Sequence, residues 1–164
     1  MESLQASMIT YKHQLQKGDI VRAYRGLMVY MQDLRTHFAK TYPDYFVSGS
    51  LYTGYMDMTY FAVSPPALKQ RSLKAAIVFV HEPFRFEVWF SGVNRQVQAE
   101  WWKQIKTSGW DKYSVVPVIT GSDAIVEHVL VQDPDFDDLP ALSAQIESGT
   151  MQFIRDVEAF LSSH

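Results

Sequence analysis

"LKAAIVFVHEPFRFEVWF", residues 73–90, is the stretch on which the fold turns. Two runs rich in Val, Ile, Phe and Trp flank a break at Pro83, the pattern of two strands joined by a tight bend. The break opens with His81-Glu82, and a zinc-binding H-E-x-x-H helix would carry its second histidine four residues after the first. That position is Arg85, which does not ligate metals. Pro83 and the β-type sequence on both sides oppose a helix. The stretch therefore predicts a hairpin and excludes the zinc site.

Pro83 suits the second position of a four-residue turn, Glu82–Arg85. That turn predicts pairing of 80 with 87, 78 with 89 and 77 with 90. One face then gathers Ile77, Phe79, His81, Phe86, Val88 and Phe90, a core face. The other gathers Ala76, Val78, Val80, Glu82, Arg85, Glu87 and Trp89. A one-residue slip would mix the two sets, so their separation supports the pairing. The second face reads either as a solvated sheet surface with a Glu82–Arg85 pair or as the wall of a ligand pocket.

Outward from the hairpin, a short helix around residues 9–15 is expected to end at Gly18, and Asp19 to open a longer one. Ile20, Tyr24, Leu27, Met28, Met31, Leu34 and Phe38 form a helical stripe running to about residue 40. Gly26 within it is expected to permit close packing, and Pro43 ends the helix. "GYMDMTYFAV" (54–63) alternates as a strand. "SPPALKQRS" (64–72) is a break with room for one helical turn. A helix follows from about Asn94 to Gly109, then strands at 113–120 and 124–132, and a final helix over 139–162. The order is α-α-β-β-β-α-β-β-α. Short bends between strands favour antiparallel pairing. The expectation is a single α+β domain, residues 1–164, with a mainly antiparallel sheet of about five strands and helices packed on it.

A chain of 164 residues with 47% hydrophobic and 20% charged residues can bury a core without staples. The absence of cysteine excludes disulfides, thiolate metal sites and cysteine nucleophiles. No apolar run approaches a membrane span of roughly 18 residues, and "MESLQASMITYKHQLQKGD" lacks the signature of a signal peptide. A soluble, cytoplasmic protein with no membrane partner is expected. The net charge of −3 argues against a nucleic-acid binder. Residues 1–74 carry nine basic against five acidic side chains, so the excess of acid lies in the remainder. The asymmetry reads either as ordinary surface variation or as complementary faces that meet in a homodimer.

Asp57 stands among apolar strand residues. With a later Glu-x-Lys it would suggest a metal nuclease, but Glu82 and Glu87 are followed two positions on by Phe84 and Trp89, so the lysine is missing. The expected function is a ligand-binding or protein-interaction module without catalysis, and the alternative is a degenerate metal-dependent hydrolase or nuclease using Asp57 and Glu87. "DPDFDD" (133–138) begins like a calcium loop but has Asp138 for the turning glycine and Ala144 for the bidentate glutamate, which favours helix capping. No histidine spacing suggests a metal site, and no glycine pattern suggests a nucleotide cofactor; none is expected. The candidate site is Asp57, Arg85, Glu87 and Trp89. The last three share a strand face by alternation. Arginine offers a fork for a small anion, and the indole a flat wall.

The segments "AYRGLMVYMQDLRTHF", "YPDYFVSGSLYTGYMDMTYFAV", "LKAAIVFVHEPFRFEVWFSG" and "DPDFDDL" together resemble an uncharacterised bacterial family, a domain of unknown function from intestinal and Gram-positive bacteria. The resemblance runs from about Tyr11 onward. It implies no activity and transfers no catalytic residue.

Overall fold

The computed structural model describes residues 3–164. Helix α1 (Leu4–Lys17) is capped by the Ser3 side chain, which accepts the Ala6 N–H. It ends at Gly18, whose φ of 89° lies in the left-handed region that glycine adopts without strain. The chain turns there directly into α2 (Asp19–Thr41), a helix about 35 Å long at 1.5 Å per residue. Two residues form β1 (Phe46–Val47), followed by β2 (Met58–Ser64), a single helical turn α3 (Pro66–Lys69), β3 (Leu73–Val80) and β4 (Arg85–Gly92). Helix α4 (Arg95–Ser108), β5 (Val126–Gln132) and α5 (Leu139–Ser162) complete the chain. The strands form one antiparallel sheet in sequential order, β1 to β5. The fold is α+β, with an antiparallel sheet of five strands.

Some local readings differ from the structure. The 113–120 segment forms one bridge, Val115 with Val126, rather than a strand, and the fifth strand is β1. Pro117 lacks the N–H that a continuing ladder would need. In the hairpin, Val80 pairs with Arg85, Val78 with Glu87 and Ile77 with Val88, two residues from the predicted register. The turn runs from His81 to Phe84, whose N–H donates to the His81 carbonyl at 3.1 Å, so Pro83 is its third residue and not its second. Phe84 takes a φ of 57° to close it. A slip of two residues leaves every side chain on its predicted face.

The helices cover one face of the sheet. Phe61, Ile77, Phe79 and Phe86 meet Met31, Leu34 and Phe38 of α2 and Leu142 and Ile146 of α5. Further along, Val88 and Phe90 meet Phe153, Ile154 and Val157 of α5 and Ile105 of α4. Phe79 and Val88 are both fully buried, the first in the cluster built on α2, the second in the cluster built on α5. Gly92 lets α4 start close to the end of β4: a Cβ there would lie 2.5 Å from the Gln98 nitrogen. The other sheet face has a thinner cluster, Ala76, Val78, Trp89 and Ala124, edged by Met58, Tyr60 and Val80.

Candidate functional site

Alternation along β4 places Arg85, Glu87 and Trp89 on the thinly covered face, as the sequence predicts. Glu87 is buried at 3% exposure, and both its oxygens are engaged. Arg85 Nε donates to Oε2 at 2.7 Å, and Trp89 Nε1 donates to Oε1 at 2.9 Å. The surroundings are acidic. Glu127 lies opposite Trp89 on β5, and burial, then the nearby Glu87 and Asp123 charges, push its carboxyl above the usual range.

Asp57 belongs to a different local structure. Residues 54–57 turn, with Gly54 and Met56 at positive φ, and so the strand begins at Met58 rather than Gly54. The Asp57 carboxylate accepts the Tyr55 N–H at 2.8 Å. Backbone donors from Tyr55 and Met58 hold it below the usual carboxylate range. Its carbonyl accepts the His81 N–H. Glu87 pairs with Val78, three residues from His81 along β3, so the two carboxylates belong to positions about 10 Å apart along the strand at 3.3 Å per residue. Among the described residues no three His, Asp or Glu side chains converge as metal ligands. Of the acidic run, Asp138 caps α5 by accepting the Ala141 N–H, and Asp135 accepts the Asp137 N–H.

A second location, absent from the sequence-based site, lies on the helix-covered face. A cavity of about 640 Å³ opens between the first half of α2, the His81–Phe84 turn and the segment leading into α5. Its walls are Leu27, Tyr30, Phe79, Phe84 and Phe136. The aromatic rings interlock: Phe79 meets Phe84 edge-on at 5.1 Å, and Tyr30 meets Phe136 edge-on at 6.0 Å. Ala23 and Gly26 border the space, and a Cβ on Gly26 would touch nothing within 4 Å. Gly26 therefore leaves room instead of permitting close packing. Polar groups are few. Tyr30 Oη is bonded to Ser143 at 2.9 Å, and His81, Arg22, Asp19 and the Tyr24 hydroxyl complete the polar lining.

The sequence carried one sign of this cavity. The apolar stripe of α2 is longer than the sheet beneath it: Leu27, Met31, Leu34 and Phe38 are buried, whereas Ile20 is 44% exposed and Tyr24 half-buried, both at the cavity. An apolar stripe that outruns its core leaves apolar side chains of the helix's first turns uncovered by the sheet.

Fold and site together define a small α+β domain with one clothed sheet face and an aromatic-walled cavity at the edge of that face. The chain belongs to the family described as Domain of unknown function (DUF7000), whose family model matches residues 4–161. No curated protein and no solved structure matches it. Among the described residues no helix is long and apolar enough to cross a membrane.

Proposed function

We propose that this protein is a non-catalytic binding module that takes a small, mainly apolar ligand in the cavity beneath the first half of α2. The observation that carries the reading is the cavity itself. Its volume falls within the range of small-molecule sites, its walls are apolar and aromatic, and a few polar groups join the lining. The test is a thermal-shift and NMR screen of aromatic fragments against the parent chain and Ala23→Phe, an exposed helical position at which a ring would project into the space. Fragments should raise the melting temperature of the parent and leave Ala23→Phe unmoved. Equal shifts in both, or none in either, would count against the cavity.

A second reading places a small anion at Asp57, Arg85, Glu87 and Trp89. Arg85 favours it, since its side chain is one-third exposed and the guanidinium spends only Nε on Glu87. The adjoining Glu87 and Glu127 oppose it. We weigh the Arg85–Glu87–Trp89 set as a brace of the sheet. The alternative of a metal-dependent hydrolase on Asp57 and Glu87 has less support, given their separate settings. The cysteine-free composition and, among the described residues, the lack of a helix able to cross a membrane suit a soluble cytoplasmic setting, and the family resemblance suits a bacterial one. Should the chain self-associate, the exposed stripe Leu4, Met8, Tyr11 and Leu15 of α1, flanked by Lys12 and Lys17, is the surface for a second copy, whose excess of acid lies beyond residue 74.

A further inference from the structure

His81 lies in the cavity lining with its ring held on three sides. Its backbone N–H donates to the Asp57 carbonyl at 2.9 Å. Its ring lies 5.0 Å from Phe79 in an edge-on contact and 6.3 Å from Tyr24. Its Nε2 is 2.8 Å from Thr59 Oγ1. Thr59 is fully buried, and its hydroxyl donates its single proton to the Thr53 carbonyl at 2.9 Å. A hydroxyl has one proton and two lone pairs. The arrangement that satisfies both contacts has Thr59 Oγ1 accepting from His81, so Nε2 carries the imidazole proton. Nδ1 is then the unprotonated nitrogen, an acceptor, and it has no hydrogen-bond partner among the described residues. The second contact of one ring nitrogen thus fixes the character of the other.

The cavity therefore has in its lining a ring with an unpartnered acceptor, His81, alongside aromatic side chains and the Asp19 carboxylate. Resting on the binding reading above, we infer that it selects neutral, flat, aromatic ligands bearing an N–H or O–H donor, which His81 Nδ1 receives. A ligand of the same shape without the donor leaves Nδ1 stripped of water and unpaired, and sites built on a hydrogen bond discriminate by that loss.

The experiment compares indole with benzothiophene, two flat bicycles of similar shape of which only indole has an N–H. Titrations followed by NMR of the parent chain should give an affinity for indole about tenfold tighter, the ratio that corresponds to 1.4 kcal/mol. In His81→Phe, which keeps a ring between Phe79 and Tyr24, the two should bind alike. A second measurement needs no variant. Long-range proton–nitrogen spectra of the parent should show His81 in the Nε2–H form, with Nδ1 moving on addition of indole and not of benzothiophene. Equal affinities for both probes, or an Nδ1–H tautomer, would overturn the role of His81 and leave the cavity standing. Failure of both probes to bind would overturn both readings.

Discussion

Glu87 shows at the residue scale what a buried carboxylate requires. It is nearly inaccessible, and the two donors that satisfy it come from its own strand, two residues to either side. Because a hydrogen bond to a charged acceptor contributes about 1.5–3 kcal/mol and an orphaned buried acceptor costs more than the bond is worth, Arg85→Ala and Trp89→Phe should each destabilise the folded chain by about 1–3 kcal/mol in urea denaturation. Unchanged midpoints would remove the bracing role. The shared face of Arg85, Glu87 and Trp89 was legible because alternation is a local rule. The place of Asp57 was not, because the turn at 54–57 takes it out of the strand pattern. His81 carries a separate prediction. Burial holds its imidazole below the ordinary value of 6.5, against the opposing pull of Asp57. The unfolded chain then binds a proton there that the folded chain does not, so stability rises with pH. The contribution is complete above about pH 6.5 and is lost as the pH falls toward the lower folded value. His128 acts in the same direction through burial. Denaturation at pH 5.5 and 7.5 should show lower stability at 5.5, and His81→Phe should shrink the difference by at most about 1.4 kcal/mol per pH unit. An undiminished difference would show that His81 does not titrate in this window.

At the scale of elements, α2 divides into two parts with different work. Its second half supplies Met31, Leu34 and Phe38 to the core, while its first half walls the cavity with Ala23, Tyr24 and Leu27. The 3.6-residue period announces the whole helix but not the point at which the sheet beneath it ends, because that depends on contacts distant in sequence. The same limit hid the cavity, whose walls come from α2, the β3–β4 turn and Phe136. The hairpin register was misread for a narrower reason: Pro83 was placed one position early in its turn, and an even slip preserves the faces. β1 is too short, at two residues, to show alternation at all. Gly26 tests the division of α2. It lies within the helix with open space where a Cβ would stand. Gly26→Ala should therefore stabilise the chain by about 0.5–1 kcal/mol, the helical advantage of alanine over glycine. A loss of stability would mean that the position packs against something, contrary to the open cavity.

Across the whole molecule, burial is uneven in a way that separates α1 from the rest. None of its fourteen residues is buried, whereas α5 buries nine of its twenty-four and spans both halves of the core. A helix of that length is marginal alone in water, so its order draws on the cap at Ser3, the tight corner at Gly18 and contact with α2. The core does not depend on it in return, since the clusters that join sheet and helices begin at Leu27. Deleting residues 1–17 should accordingly leave a cooperatively folded domain whose melting temperature lies within about 4 °C of the parent, the shift that roughly 1 kcal/mol produces in a chain of this size. The walls of the cavity all follow residue 18, so fragment binding should survive the deletion. Thermal melts and the same fragment titrations check both expectations, and sedimentation of the two forms reports whether α1 carries any self-association. Loss of cooperative melting on deletion would show that α1 supports the core through α2, and the division of labour drawn from burial would fall.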